Sequence, residues 1–162
     1  MNNAIMIDTN VMITANDKAD HVGLECIDAC QKKLVEIQKA GRVVLDSTWF
    51  IMNEYMRNVN MSGQPGLGDF FLKWLWDNQG NVTACTLVDV PVEDSDGYEF
   101  SNFPDDPDLS KFDRSDRKFV ATALASGENP PIVNATDSDW LHYVQALGRH
   151  GIRVEFLCLE II

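Results

Sequence analysis

Residues 4–13 read AIMIDTNVMI, a short apolar run that stops at the polar triplet Asp8-Thr9-Asn10 before a second apolar run begins. The first run predicts a buried β-strand, because strands that are covered on both faces are continuously apolar. A carboxylate between two apolar runs is costly to desolvate unless it is paired or bound to a metal ion. Asp8 is therefore a candidate functional residue, although the spacing suits a cap at the start of a helix equally well.

Further along the chain, short apolar runs alternate with segments whose apolar residues recur at helical spacing. Helices are predicted over residues 22–40, 67–78, 113–127 and 136–147 and up to residue 58, and further strands over 42–45, 82–90, 132–135 and 153–157. Gly41 is expected to cap the first of these helices. The alternation is typical of an α/β fold in which helices cover both faces of a mainly parallel sheet. Ligands bind beyond the carboxyl ends of the strands in such sheets, and both Asp8 and Asp137 follow a predicted strand.

The length of 162 residues fits a single domain, 1–162, and no linker or internal repeat interrupts it. Residues 91–112 are predicted to be irregular, since they contain three prolines and seven acidic residues against Lys111 alone. No apolar run reaches the roughly 18 residues of a membrane span, so no membrane association is expected. The first residues lack the pattern of a secretory signal, and the cytoplasm is the expected compartment.

The formal net charge of −12 argues against a nucleic-acid partner, because phosphate contacts need Lys and Arg. A metal-dependent nuclease nevertheless carries clustered carboxylates whose charge is offset by bound cations, so position matters more than the total. Neither histidine nor cysteine predicts a metal site. The three histidines are scattered, and the four cysteines are expected to be buried free thiols rather than zinc ligands or disulfide partners: Cys26, Cys30, Cys85 and Cys158.

Asp116 and Glu54 lie in predicted helices with different apolar patterns. Phe119, Val120 and Ala123 follow Asp116 at i+3, i+4 and i+7, so this carboxylate extends the buried face of its helix. The alternative is an acid that only complements the helix dipole from the first turn. Near Glu54 the apolar residues form a stripe on the other side of the helix, so spacing alone favours a solvated glutamate.

Two further acids, Asp137 and Asp139, follow the predicted strand 132–135. Both suit the start of a helix and both suit a metal cluster at a strand end, and the spacing does not choose between them. A basic cluster near Asp116 fits either a solvated helix surface or a grip for phosphate. Its members are Arg114, Arg117 and Lys118.

Taken in their order along the chain, these acidic motifs resemble those of a PIN domain. This is the nuclease fold of many prokaryotic toxins of toxin–antitoxin pairs and of RNA-processing factors. The resemblance covers nearly the whole chain. Residues 5–11 resemble the opening strand with its Asp-x-Asn turn, and Glu54 is similar to the second acidic position. Asp116, ahead of an alanine-rich helix, resembles the third. Residues 136–140, TDSDW, resemble the variable fourth position, for which Asp137 and Asp139 compete.

The resemblance implies a three-layer α/β/α sandwich with a mainly parallel sheet of about five strands. It also implies an endoribonuclease that uses Mg²⁺ or Mn²⁺ to cut RNA. In that interpretation, Asp8, Asp116 and Glu54 anchor metal, and Asp137 or Asp139 orients a second ion or the attacking water. Supporting roles fall to Thr9 and Asn10 through hydrogen bonds and to Asp113 as a neighbouring acid. An antitoxin or other protein partner and a homodimer stay open.

Two other classes of function fit parts of the same pattern. One is a catalytically silent PIN-like module that binds a protein through residues 91–112, although such a module has no reason to keep several desolvated carboxylates. The other is a flap-type DNA nuclease, for which 162 residues leave little room for DNA-binding extensions. A measurement of metal binding would distinguish the silent module from a nuclease. A comparison of RNA and flap DNA as substrates would distinguish the flap-type DNA nuclease from an endoribonuclease.

Overall fold

Five parallel strands alternate with helices in the computed structural model, which describes residues 2–162. The strands are β1 (Asn3–Ile7), β2 (Gly41–Asp46), β3 (Cys85–Val88), β4 (Ile132–Asn134) and β5 (Val154–Phe156). The α-helices are α1 (Thr9–Ala15), α2 (Leu24–Ala40), α3 (Phe50–Asn58), α4 (Leu67–Asp77), α5 (Arg117–Ser126), α6 (Ser138–His142) and α7 (Val144–Gly148). The helices and the all-parallel sheet form a three-layer α/β/α sandwich, which confirms the predicted fold class.

The strand order is β3-β2-β1-β4-β5. The chain therefore builds the sheet outward from β1 to β3 and then returns to place β4 on the other side of β1. Met6 pairs with Ile132 and Ile7 pairs with Val133 where these two strands meet. In open parallel sheets the crevice at such a reversal, beyond the carboxyl ends of the strands, is where ligands bind. Asp8 and Asp137 follow the two strands that flank this switch point.

Helix α2 and strand β2 join without a loop at Gly41, which is the C-cap of α2 as predicted and donates its backbone N–H to the carbonyl of Ile37. Gly41 has extended backbone angles (φ −95°, ψ 167°) and is the first residue of β2. A Cβ at this position would lie 3.0 Å from the Cα of Ile37. Glycine is needed here for a close approach between helix and strand rather than for a positive φ.

Several predicted elements are shorter than expected, including the helix 113–127, whose α-helical part is only Arg117–Ser126. The predicted strand 82–90 begins only at Cys85, because the backbone carbonyl of Asn81 accepts hydrogen bonds from Ala84 and Cys85 in a turn. The predicted helix 136–147 is divided at Tyr143, whose backbone (φ −100°, ψ 6°) leaves the helical region. The closing strand, expected over 153–157, has only the three residues of β5.

Residues 91–112 contain one isolated bridge, between Val92 and Phe100, and a short 3₁₀ helix, Pro107–Leu109. Ion pairs tie this acidic segment to the rest of the chain. Glu99 pairs with Arg114, and Asp106 pairs with Arg149 at 2.9 Å. Within residues 2–162, no helix is both long and apolar enough to cross a membrane.

Cys26 in α2 and Cys158 after β5 form a disulfide across 132 residues, whereas Cys30 and Cys85 are buried free thiols. The prediction of four free thiols is therefore wrong for the first pair. Their Cα atoms lie 5.4 Å apart, a separation that suits a disulfide. The fold creates this proximity, and the spacing of cysteines along the chain does not reveal it.

Reduction of this disulfide is expected to lower the free energy of unfolding by about 3 to 5 kcal/mol, because the cross-link closes a long loop in the unfolded chain. Urea unfolding with and without a dithiol reductant measures the difference. A Cys26→Ser/Cys158→Ser variant serves as the control, since its stability should not respond to the reductant. Four titratable thiols in the unfolded, unreduced protein would contradict the disulfide.

Candidate metal centre

Asp8 lies where β1 ends and α1 begins, and both of its carboxylate oxygens are engaged. Oδ1 accepts a hydrogen bond from the backbone N–H of Asn10 (3.0 Å) and so caps α1. Oδ2 accepts a hydrogen bond from Nε1 of Trp140 at 2.7 Å. The residue is 6% exposed. The two interpretations that the spacing left open are therefore compatible, because the same carboxylate caps a helix and faces the switch point.

Asp116 and Asp137 reach the same place from two other elements. Asp116 ends a 3₁₀ turn, Arg114–Asp116, immediately before α5 and is 8% exposed. Asp137 is half-buried and caps α6 by accepting a hydrogen bond from the N–H of Asp139. One carboxylate oxygen of each of Asp8, Asp116 and Asp137 lies within 4.8 Å of the other two. These three residues are called the acidic triad below.

The acidic triad has no internal counter-charge. Among residues 2–162, no Lys, Arg or His forms an ion pair with any of the three carboxylates. Burial raises the pKa of Asp8 to about 6, with further increases from Glu54 and Asp137, against the lowering by its two hydrogen bonds. Burial and the neighbouring carboxylates raise the pKa of Asp116 to about 9. Burial likewise raises the pKa of Asp137. Desolvation and like charge thus disfavour the ionised triad, and a bound cation would favour it.

Glu54 lies beside the acidic triad but is held by other groups. One carboxylate oxygen pairs with Nζ of Lys118 at 2.8 Å, and the other accepts a hydrogen bond from the hydroxyl of Thr9. The glutamate side chain is only 16% exposed. The solvated glutamate that the apolar stripe of α3 favours is therefore wrong. The neighbouring residue Tyr55 accounts for the buried position of Glu54. Its hydroxyl donates a hydrogen bond to the backbone carbonyl of Ile7 (2.5 Å) and anchors α3 at the end of β1.

Two asparagines, the half-buried Asn10 in the first turn of α1 and the fully buried Asn134 at the end of β4, connect the segments that follow β1 and β4. Nδ2 of Asn10 donates to Oδ1 of Asn134 at 2.8 Å, and Oδ1 of Asn10 accepts from the backbone N–H of Ala135 at 2.9 Å. The side chain of Asn134 also bonds both the backbone N–H and the backbone carbonyl of Asp137. This network fixes the loop that carries Asp137 relative to the loop that carries Asp8.

The remaining predicted acids lie outside the acidic triad. Asp139 is exposed, so geometry favours Asp137 for the fourth acidic position. Asp113 is also exposed and caps the 3₁₀ turn by accepting a hydrogen bond from the N–H of Ser115. Its charge still acts at a distance, since it contributes to the raised pKa of Asp116.

The three basic residues of the expected phosphate grip have different surroundings. Arg114 pairs with Glu99 at 2.9 Å, and its side chain is 62% exposed. Arg117 lies 3.6 Å from the same glutamate and stacks over the ring of Phe103. Lys118 is buried against Glu54 and is not a surface group. Only Arg114 therefore offers an exposed guanidinium near the acidic triad.

Sequence reasoning assigned no role to Asn134 or Trp140, although both contact the acidic triad or its loops. Asn134 ends β4 and is fully buried, and a polar residue at the end of an apolar strand was the available signal. Trp140 is the last residue of the TDSDW motif, but nothing in the spacing indicates that its indole N–H reaches Asp8 from α6.

Comparison of the chain with family models, with curated proteins and with solved structures gives no significant match. The resemblance to PIN domains therefore rests on the order of the motifs. The acidic triad and the bonded asparagines are properties of this chain's own geometry.

A Trp140→Phe variant is expected to lower the free energy of unfolding by about 1 to 3 kcal/mol at pH 8. The phenyl ring keeps contacts with Phe112 and Phe119, but Asp8 loses a donor that lowers its pKa. The loss should be smaller at pH 5, where Asp8 is mostly protonated. Urea unfolding in EDTA at both pH values measures the difference, and Trp76→Phe controls for the change of ring. Equal losses at the two pH values would contradict this role of the hydrogen bond.

Proposed function

We propose that this chain is a PIN-type, metal-dependent endoribonuclease whose acidic triad binds Mg²⁺ or Mn²⁺. The observation that carries the proposal is the meeting of three uncompensated carboxylates from three separate elements at the switch point of a parallel sheet. Structural carboxylates are ordinarily paired with a cation or exposed to water, because burying unpaired charge is costly. Three such groups whose oxygens lie within 4.8 Å of one another favour a site that is completed by a cation.

The donor set fits a hard divalent cation. Asp8, Asp116 and Asp137 would hold the ion through carboxylate oxygens, the ligands that Mg²⁺ and Mn²⁺ prefer. No histidine or cysteine belongs to this group of ligand atoms in residues 2–162, which disfavours zinc. A divalent ion bound there supplies the Lewis acidity that makes water a better nucleophile and offsets charge on a scissile phosphate.

The chain's own residues orient these donors. The indole N–H of Trp140 and the backbone N–H of Asn10 fix the two oxygens of Asp8. The side chain of Asn134 holds the backbone of Asp137. Partners that bond to ligating carboxylates set their direction and strength as ligands. Asp8 and the backbone of Asp137 are thus held in place by the chain's own hydrogen bonds.

RNA is the substrate class that the PIN resemblance favours, and the exposed guanidinium of Arg114, two residues before Asp116, is a candidate contact for its backbone. The pair that Arg114 forms with Glu99 is exposed on both sides, and such pairs are weak enough to exchange for a phosphate. An antitoxin partner and a homodimer remain predictions of the same resemblance. The cytoplasmic location, expected because the first residues lack a secretory-signal pattern, also remains a prediction. The Cys26–Cys158 disulfide argues against it, because stable disulfides are rare in the cytosol.

The proposal is tested by incubating the purified protein with labelled single-stranded RNA, single-stranded DNA and flap DNA in Mg²⁺, Mn²⁺ or EDTA. The expected result is internal cleavage of RNA that needs the divalent ion and stops in EDTA. Preference for flap DNA would show that the protein is a structure-specific DNA nuclease and not an endoribonuclease. Absence of cleavage together with absence of metal binding would leave a binding module.

A further inference from the structure

A buried ion pair lies beside the acidic triad. Lys118 is 5% exposed, and its ammonium group contacts Glu54 at 2.8 Å and also donates to the backbone carbonyl of Ser115. Glu54 in turn accepts a hydrogen bond from Thr9 through its other oxygen. Both oxygens of this glutamate are therefore engaged by the chain itself.

The four acids at this end of the sheet thus fall into two kinds. No basic side chain within residues 2–162 forms an ion pair with Asp8, Asp116 or Asp137. Glu54, in contrast, is paired with the ammonium group of Lys118. Separating a buried pair leaves an uncompensated charge away from water and is strongly unfavourable. Glu54 is consequently a poor candidate for a metal ligand as long as its ion pair with Lys118 is intact.

We infer that Lys118 is a resident cation that keeps Glu54 from coordinating metal and limits this centre to a single divalent ion. The inference rests on the proposed metal site. A second ion would draw on carboxylate oxygens beyond those of the acidic triad. Of the other acids whose charge acts on the triad, Asp113 and Asp139 are exposed, whereas Glu54 is shielded from water. A second dication would also be repelled by the ammonium group of Lys118. Lys118 is in this sense a positioning residue, because it acts through Glu54.

The inference is tested by titrating Mn²⁺ into the metal-free protein by calorimetry, with electron paramagnetic resonance as the second readout. The wild-type chain should bind one ion. A Lys118→Met variant, in which the oxygens of Glu54 lose their resident cation, should bind two, with the spectrum of two coupled Mn²⁺ ions. If the role of Lys118 were purely structural, its replacement by Met would change the stability of the protein but not the number of Mn²⁺ ions bound. Two ions in the wild type, or one ion in Lys118→Met, would overturn the inference.

A double variant, Glu54→Gln/Lys118→Met, keeps the test decisive if Lys118→Met does not fold, because it removes both charges of the pair together. It should bind one Mn²⁺ with an affinity within about threefold of the wild type, since the two residues are not ligands. A loss beyond the roughly 10- to 100-fold that is typical of outer-shell partners would show Glu54 to be a ligand and overturn the inference. Absence of Mn²⁺ binding by the wild type would overturn the proposed function itself, so the two failures are distinguishable.

Discussion

An Asp116→Asn variant is expected to cleave RNA at least about a thousandfold more slowly than the wild type in saturating Mg²⁺. The substitution removes one of three carboxylates that would hold the ion, and the stabilisation that a metal gives to the transition state is worth several kcal/mol. The amide is nearly isosteric with the carboxylate. Asp116 makes no salt bridge in the described structure, so the fold should persist. Initial rates on labelled RNA measure the loss, and circular dichroism checks the fold.

Asp139→Asn is the matched control, because it makes the same chemical change two residues after Asp137. Its carboxylate is exposed and lies outside the acidic triad. We expect the control to retain activity within about twofold, as surface substitutions usually do. Equal losses in the two variants would show that general electrostatics, and not the acidic triad, determine the rate. Full activity of the Asp116→Asn variant would show that Asp116 is not a ligand of the metal ion.

The same Asp116→Asn substitution is expected to stabilise the metal-free protein. An unfolded aspartate titrates near 3.9, whereas burial and like charges raise the pKa of Asp8 to about 6 and of Asp116 to about 9. Between these values the folded chain binds more protons than the unfolded chain, so stability falls as pH rises. The stability from this source is complete below about pH 4 and is lost as pH rises through 6 and towards 9.

In EDTA at pH 8, Asp116→Asn should therefore raise the free energy of unfolding by about 2 kcal/mol, or the melting temperature by about 4 to 8 °C. At pH 5 the gain should be smaller, and it should vanish below about pH 4, because the aspartate is then protonated in the unfolded chain as well as in the folded wild type. Mn²⁺ should stabilise the wild type at pH 8 and leave the variant unchanged. Thermal melts at both pH values measure these effects, with Asp139→Asn as control. A wild type that gains stability from pH 5 to pH 8 without metal would contradict this account.

Much of the fold follows from local patterns. The apolar run before Asp8 predicts β1, and the stripe after Asp116 predicts both α5 and the buried position of this carboxylate. Those signals are local because a strand covered on both faces and a helix packed on a sheet each impose their own period on the sequence. The acids at strand ends then converge because parallel strands end at one edge of a sheet.

Other parts of the centre depend on contacts between distant segments. The side of α3 that carries Glu54 looks solvated by its spacing, but α3 packs against the start of α5, which brings Lys118 to the glutamate. The bond between Asn10 and Asn134 joins residues 124 positions apart. The Cys26–Cys158 disulfide spans a similar distance. No local pattern encodes such contacts, because tertiary packing decides which polar groups meet.

The most direct test of the metal centre is a crystal structure of the protein grown with Mn²⁺, with anomalous diffraction data. We expect one anomalous peak that is coordinated by Asp8, Asp116 and Asp137, with Lys118 still paired to Glu54. The absence of a peak at the acidic triad, or a peak elsewhere on the surface alone, would contradict the proposed metal centre.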